Sequence, residues 1–264
     1  MTSLTTRDGT TLAVYDWSAP AATRSALIVH GLGEHAGRYA PLAQWLNARG
    51  LSVRAYDQYG HGHSSGRRGH LAADTQLIDH LAEVLGTLSG PILLIGHSLG
   101  GLIAASAVAR GVVKPDALLL SSPALAVPMQ AWQRAAVSVL PRLFPNLTLG
   151  NGLQPKFLSH DPQVVADYVS DPLVHDRICA RLGAFVAREG ARVIDHAAHW
   201  SVKTLLLYAG DDRLVDPRGS DKFAAHASEA VHAKRFAALY HEIFNEPDAE
   251  AVFRALADWL DVVG

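Results

Sequence analysis

The sequence has little cysteine, no block of like charges and no long apolar run, and each shortage excludes a class of protein. Cys179 is the one cysteine among 264 residues, which excludes an internal disulfide and indicates a reducing compartment. Lys and Arg number 23 against 25 Asp and Glu, and without a basic block a nucleic-acid partner has no electrostatic support. Residues 1–11 lack an apolar signal region, and no apolar run is long enough to cross a membrane. We therefore expect a cytoplasmic protein that contacts a membrane at most peripherally.

The segment most informative about function is residues 92–101, which read Ile-Leu-Leu-Ile-Gly-His-Ser-Leu-Gly-Gly. Residues 92–95 are too few for a helix and do not alternate, which is typical of a strand buried on both faces. Apolar residues recur at helical spacing from Leu102 onward, so Ser98 lies where strand meets helix. Gly96 to Gly100 fits G-x-S-x-G, the nucleophile elbow, whose glycines leave room for a strained turn that exposes the serine hydroxyl. The pattern also occurs in ordinary loops, but its position between a strand and a helix favours a nucleophilic serine.

Short apolar runs alternate with helical patterns along the rest of the chain. Further strands are predicted at residues 11–17, 26–30, 51–56, 117–120, 204–208 and 235–240, and helices at 40–49, 76–88 and 253–262. The first of these strands is expected at an edge of the sheet, because it alternates and follows the turn Asp8-Gly9. The order predicts an α/β fold with a mostly parallel central sheet flanked by helices.

A long insertion is predicted between the strand at residues 117–120 and the strand at residues 204–208. The stretch between residues 120 and 204 is far longer than a normal crossover connection. We assign residues 124–198 to an inserted cap, or lid, and residues 1–123 and 199–264 to the core. The cap is expected to be broken around Pro141 and Pro145 and to be helical and polar from residue 162 to residue 189.

A carboxylate and a histidine follow the last two predicted strands. Asp211, Asp212 and Asp216 come after residues 204–208, and His241 comes directly after residues 235–240. A serine hydroxyl needs a base, and a histidine held in one tautomer by a carboxylate supplies it. The chain order Ser, Asp, His is that of α/β-hydrolases. His241 is the predicted base, and the residues alone leave the three aspartates as competitors for the acid.

Three blocks of sequence resemble a known family. Residues 30–39, 57–69 and 96–101 are similar to HGxGEHxxRY, DxxGHGxSxGxRG and GHSxGG, motifs of the monoacylglycerol lipase and lysophospholipase-like branch of the α/β-hydrolases. The setting of His241, Tyr-His-Glu-Ile-Phe-Asn-Glu, resembles the bacterial monoacylglycerol lipases. The resemblance implies the α/β-hydrolase fold, and it implies Asp212 as the acid because the family's acid immediately precedes an arginine.

The resemblance also implies further site residues. The backbone N–H groups of Leu32 and Leu99 would form the oxyanion hole, although the glycines beside Leu32 would also suit a plain turn. Glu34, Arg38 and Tyr168 would contact substrate, the alternatives being an ion pair that fixes the loop and a packing role for the tyrosine. Phe244 stands where animal members place a second histidine, which bears on recognition of the glycerol headgroup.

The predicted reaction is cleavage of a carboxylic ester through an acyl-enzyme, the substrate being a small molecule with an acyl chain. No cofactor is expected, and His61, His63 and His70 are assigned to loop packing because no carboxylate or cysteine ligand set accompanies them. Esterases on other substrates, thioesterases, peptidases, carbon-carbon bond hydrolases and a non-catalytic ligand-binding protein of the same fold remain alternatives.

An apolar stripe in the cap bears on how substrate arrives. Trp132, Ala135, Ala136, Val139 and Leu140 recur at three- and four-residue spacing, with few polar residues between them. One interpretation is an entrance for the acyl chain that also touches lipid surfaces transiently. The other is that the stripe packs the cap on the core.

Overall fold

The computed structural model describes residues 1–129 and 131–263, with side chains for all of these except residues 131–136. In chain order the strands are β1 (Thr2–Thr5), β2 (Thr11–Trp17), β3 (Arg24–Val29), β4 (Leu51–Tyr56), β5 (Ile92–His97), β6 (Ala117–Ser121), β7 (Thr148–Gly150), β8 (Arg177–Cys179), β9 (Thr204–Ala209) and β10 (Val231–Phe236). The helices are α1 (Ala40–Asn47), α2 (Gln76–Leu85), α3 (Leu99–Ala109), α4 (Ala131–Leu143), α5 (Pro162–Ser170), α6 (Ala180–His196), α7 (Pro217–His226) and α8 (Glu250–Val263).

An eight-stranded sheet organises the molecule, with the order β1-β2-β4-β3-β5-β6-β9-β10. Along this order, the neighbouring pairs are parallel from β4 through β3, β5, β6 and β9 to β10. The pairs β1 with β2 and β2 with β4 are antiparallel. β7 and β8 form a separate two-stranded sheet. The α/β-hydrolase fold with a mostly parallel sheet is therefore confirmed, and the carboxyl ends of β5, β9 and β10 lie along one edge.

Two hydrophobic layers cover the two faces of the sheet, which explains the unbroken apolar runs of its central strands. Alternate residues of β5 point in opposite directions, Leu94 into one layer and Leu93 and Ile95 into the other. The first layer packs against α2, α3 and α6, and the second against α1 and α8. Strands with both faces covered have no reason to alternate in polarity.

Two strand predictions at the sheet edges are wrong. Residues 11–17 form β2 as predicted, but β1 pairs with it on the outer side, so β2 is not the edge. The last strand is Val231–Phe236 instead of residues 235–240. β10 is an edge strand whose side chains are partly or fully exposed and half of them polar, so it lacks the apolar run that marks a buried strand. His241 consequently follows a turn after Phe236 and does not follow the strand directly.

The insertion lies between β6 and β9, which are neighbours in the sheet. α4 continues through Pro141, contrary to the predicted break, because a proline near the end of a helix removes only one late hydrogen bond. The predicted helical half is divided into α5 and α6 by a loop and β8. α6 also buries Leu182, Phe185 and Val193 in the layer that contains α3. The boundaries 124 and 198 stay a prediction.

Candidate active site

Ser98 lies in a strained turn between β5 and α3. Its φ of 53° and ψ of −119° fall outside the regions favoured by residues with a Cβ. The tight passage needs glycine at neighbouring positions, since a Cβ on Gly100 would overlap the carbonyl of Val29. The Ser98 carbonyl accepts hydrogen bonds from the N–H groups of Leu102 and Ala124, each at 3.0 Å. These contacts hold the elbow in the conformation that the sequence motif predicts.

Asp212 is the aspartate that contacts His241. Its Oδ2 lies 2.7 Å from His241 Nδ1, and both side chains are buried. Its Oδ1 accepts hydrogen bonds from the N–H groups of Leu214 and Val215 at 2.9 and 3.0 Å. The carboxylate is thus fixed by the backbone on one side and faces the imidazole on the other.

The two competing aspartates have other partners. Asp211 is partly exposed and pairs with Arg213 at 2.7 Å. Asp216 caps the N-terminus of α7 through the N–H of Arg218 and forms an ion pair with the same arginine at 2.6 Å. The geometry therefore separates Asp212 from residues that lie one and four positions away in sequence.

The pKa values of two neighbouring histidines are shifted in opposite directions. Burial opposes the charged form of His241, but the Asp212 carboxylate more than offsets this and raises the pKa of His241 above its usual value. Burial and the nearby His241 lower the pKa of His97 to about 4. The two ring centroids lie 4.7 Å apart. His97 is accordingly neutral near pH 7 and does not compete for the proton that His241 would carry.

Ser98 and His241 line one pocket with a volume of about 470 Å³. Leu32 and Leu99, whose backbone N–H groups are the predicted oxyanion donors, lie on the same wall. Most of the wall is aliphatic, and it is supplied largely by α4, α6 and the segment of residues 147–157. This size and lining are typical of a site for a small apolar molecule.

Glu34 and Arg38 form a buried network beside this pocket. Glu34 accepts hydrogen bonds from the N–H of Gly31 at 2.6 Å, from Tyr39 Oη at 2.7 Å and from Arg38 Nη1 at 2.6 Å. Burial alone would raise the pKa of Glu34, but the Arg38 charge lowers it to about 2. Arg38 also pairs with both oxygens of Glu242, at 2.7 and 2.9 Å. The network joins the loop that carries Leu32 to the residue next to His241.

The predicted substrate contacts lie outside the pocket wall formed by the described residues. Tyr168 is buried, and the Arg38 guanidinium lies 4.9 Å from the centre of its ring. Glu34, Arg38 and Tyr168 thus hold the loop and the cap together in this structure, and substrate contact by them stays a prediction. Sequence reasoning missed Glu242, although its place directly after the predicted base was a usable signal.

A second set of contacts joins the cap to the loop that carries Leu32. The N–H of His175 donates to the carbonyl of Gly33 at 2.8 Å, and His35 Nε2 lies 2.8 Å from Asp171 Oδ2. Gly33 has a φ of 80°, and a Cβ there would overlap the carbonyl of His175. We define residues 171–177 as the cap strap, because this segment lies directly on the loop.

The two histidines of the second motif block differ in burial, since His61 lies inside the protein and His63 is exposed. His61 is buried, with its ring centroid 5.3 Å from that of His30 and 4.7 Å from that of His175. Within residues 1–129 and 131–263, no group of three His, Cys, Asp or Glu side chains is placed to hold a metal ion.

The apolar stripe of α4 is described only in its second half. The predictions for Trp132, Ala135 and Ala136 concern side chains outside the described ones. Val139 is 51% exposed, whereas Leu140 lines the pocket. Leu143 and Phe144 continue the exposed apolar surface beyond Val139. In the part of the chain that the structure describes, every helix is too short or too polar to span a membrane.

Comparisons with known proteins agree on the family over almost the whole length. The family described as serine aminopeptidase, S33, matches residues 20–248. The monoacylglycerol lipase of Mycolicibacterium smegmatis is 35% identical over 261 residues, covering 94% of this chain and 92% of that protein. Phospholipase YtpA of Bacillus subtilis is 30% identical over 260 residues, covering 94% and 99%. The crystal structure of Paleococcus ferrophilus monoacylglycerol lipase superposes with a TM-score of 0.88 at 36% identity, covering 96% of this chain and 99% of that one.

Proposed function

The chain belongs to the serine aminopeptidase S33 family of α/β-hydrolases, and from this membership we infer that it is a serine ester hydrolase of the monoacylglycerol lipase type. The observation that supports the assignment most directly is the placement of Ser98 and His241 on one apolar pocket, with Asp212 at 2.7 Å from the imidazole. The relatives are named monoacylglycerol lipases and a phospholipase, so a lipid ester is the proposed substrate.

In the proposed mechanism Ser98 Oγ attacks the ester carbonyl while His241 Nε2 accepts its proton. Asp212, bonded to Nδ1, orients the ring and stabilises the imidazolium. His241 then donates the proton to the departing alcohol oxygen, which leaves an acyl-enzyme and a free alcohol. Water, deprotonated by the same histidine, attacks the acyl carbonyl and releases the acid and Ser98.

The oxyanion of each tetrahedral intermediate would be held by backbone N–H groups of Leu32 and Leu99. Leu99 is the first residue of α3, so its N–H lies at the positive end of the helix dipole. Each such donor is worth about 3 kcal/mol in other hydrolases. The buried Glu34 would help to hold the backbone of Leu32 in place, because its carboxylate accepts a hydrogen bond from the N–H of the adjacent Gly31.

The character of the pocket favours an ester with an acyl chain over an aminopeptidase substrate. A free α-amino group is usually recognised by a carboxylate, and among the described residues that line the pocket there is no Asp or Glu. Arg213 is the one Lys or Arg on that described wall, and Asn151 and Gln154 supply neutral polar groups. These could meet the alcohol end of the substrate, while the aliphatic wall accepts the chain.

We also propose that the rim of the cap touches lipid surfaces transiently. Val139, Leu143 and Phe144 are exposed at the end of α4, and Leu147 and Leu149 are exposed in the segment that follows it. Leu147 and Leu149 also line the pocket, so the apolar surface leads from solvent into the site. A monoacylglycerol leaving a membrane would meet this surface first.

The proposal is tested by hydrolysis of monoacylglycerols and by labelling. Wild-type protein should release fatty acid from monoolein and should carry a fluorophosphonate adduct on Ser98 in peptide mass mapping. Ser98→Ala should abolish both, and alanine p-nitroanilide should not be cleaved. An adduct on another serine, or turnover of the anilide in place of the ester, would overturn the assignment.

A further inference from the structure

Helix α6 carries a glycine that neither its backbone nor its neighbours require. A glycine inside a helix weakens the helix relative to alanine, because it loses more backbone freedom on folding. Gly183 lies in α6 between Leu182 and Ala184 and has no left-handed φ. Apart from its two chain neighbours and the nearby backbone of its own helix, no heavy atom of the described residues lies within 4 Å of the place where a Cβ would stand.

Most other glycines of residues 1–129 and 131–263 provide the contrast, the exception being Gly150 of β7, which has no left-handed φ and has its nearest neighbouring atoms at 3.9 Å. Gly9, Gly50, Gly111 and Gly152 have equally open Cβ positions, but their φ values of 66° to 82° belong to the left-handed region. Gly190, on the same helix, cannot carry a Cβ because the carbonyl of Leu125 occupies that space. Gly183 therefore combines an open position with a backbone that any residue could adopt.

The open space beside Gly183 is the pocket that contains Ser98. Ala180, Gly183 and Val186 lie three residues apart on α6 and all line it. Val137 and Leu140 line it from α4. Among the described residues that α4 and α6 contribute to the wall, Gly183 is therefore the smallest.

We propose that Gly183 determines the length of acyl chain that the enzyme accepts. The inference rests on the proposed function and deepens it by naming a residue that sets the chain-length preference of that site. Without a side chain at this position the space beside α6 stays open for the distal part of the chain. A short acyl group on Ser98 would be held by residues near the elbow, such as Leu99 and Ala124, and would not need that space.

The test compares chain-length profiles of Gly183→Leu, Gly183→Val and Gly183→Ala with wild type on monobutyrin, monocaprylin, monolaurin and monoolein. Gly183→Leu should lower kcat/KM for monoolein by at least about tenfold and leave monobutyrin within about twofold, since a few methylene groups in an apolar pocket produce such factors. Gly183→Val should give a smaller shift in the same direction. Gly183→Ala should fold with an equal or higher Tm.

Ala184→Leu is the matched control, because it adds the same side chain one position along α6, on a surface outside this pocket. It should keep the wild-type profile. An equal loss on every ester, or a lower Tm for Gly183→Ala, would show a packing role and overturn the inference. If wild type hydrolyses the series and all Gly183 variants keep the wild-type profile, this inference alone is wrong. If wild type hydrolyses none of the esters, the proposed function is refuted.

Discussion

Asp212 divides its two oxygens between the backbone and the imidazole. Oδ1 accepts from two N–H groups and Oδ2 faces His241 Nδ1, so neither oxygen is left to solvent. This division explains why the neighbouring aspartates are not equivalent, although the sequence places all three in one loop. Resolving the acid from the residues alone was impossible, because a loop of six residues can bring any of its carboxylates to the sheet edge.

Asp212→Asn is expected to lower kcat by about 10⁴-fold through loss of the correct histidine tautomer. An amide in this place presents an N–H group where either the backbone or the ring needs an acceptor. Asp211→Asn is the matched control, because the hydrogen bond described for the Asp211 side chain goes to the exposed Arg213, and turnover should stay within about threefold of wild type. Steady-state kinetics on a soluble short-chain ester measures both.

The opposite ranking, with Asp211→Asn severe and Asp212→Asn mild, would contradict the assignment. Asp216→Asn serves as a further comparison, because asparagine also caps helices and should leave α7 and turnover nearly unchanged.

At the scale of secondary-structure elements, buried strands could be predicted from the sequence and exposed strands could not. β2 and β4 have the predicted bounds, and the other strands inside the sheet differ by one or two residues. β10 was misplaced, and β1, β7 and β8 were not predicted, because short or exposed strands are held by pairing with neighbours rather than by an apolar run. The proposed serine and base could be predicted from motif and order, whereas the proposed acid was separated from Asp211 and Asp216 only by the resemblance to a family. The Arg38 and Glu242 pair was not, since 204 residues separate its members.

Helix α4 yields a prediction that separates lipid contact from pocket lining. Val139→Asp should reduce binding to phospholipid vesicles and activity on long-chain monoacylglycerol, because a charge on the exposed rim opposes contact with lipid. Leu140→Asp should lower long-chain turnover even in detergent, since Leu140 lies on the pocket wall. Both should leave short-chain ester hydrolysis and Tm nearly intact. Vesicle co-sedimentation and chain-length kinetics are the measurements.

Val262→Asp is the matched control for Val139→Asp, because Val262 is equally apolar, is exposed, and lies on α8 at the other face of the sheet. It should bind vesicles as wild type does. A drop in Tm together with an equal loss on all esters would show that this part of α4 is a packing element and would refute the entrance interpretation.

At the scale of the whole molecule, several neutral histidines are buried in the folded state. Burial lowers the pKa of His30 and of His61, and it lowers the pKa of His97 and of His175 to about 4. In the unfolded chain such histidines take up protons near pH 6.5. Between about pH 6.5 and pH 4 the unfolded state therefore binds more protons, and the free energy of unfolding falls as the pH falls. Partial burial also lowers the pKa of His70, which adds to this effect. His241 has a raised pKa and acts in the opposite direction, but it is one group against five.

Urea unfolding at pH 7 and pH 5 should accordingly show a lower midpoint at pH 5. His175→Gln, outside the proposed catalytic residues, removes one of these five histidines and should make the difference between the two midpoints smaller. An unchanged or higher midpoint at pH 5 in the wild type would contradict the account. So would an acid sensitivity in His175→Gln that exceeds that of the wild type.

The cap strap of residues 171–177 has a consequence for how the molecule can open. Its bonds from His175 to Gly33 and from Asp171 to His35 fasten this segment of the insertion to the loop of the proposed oxyanion donor. If the whole cap moved away as one rigid body, these bonds would break and the loop would lose its contacts with the cap. Entry is therefore expected by displacement at α4 alone, with the strap seated throughout. The enzyme would then admit a lipid beside α4 while the loop that carries the proposed oxyanion donor Leu32 keeps its position.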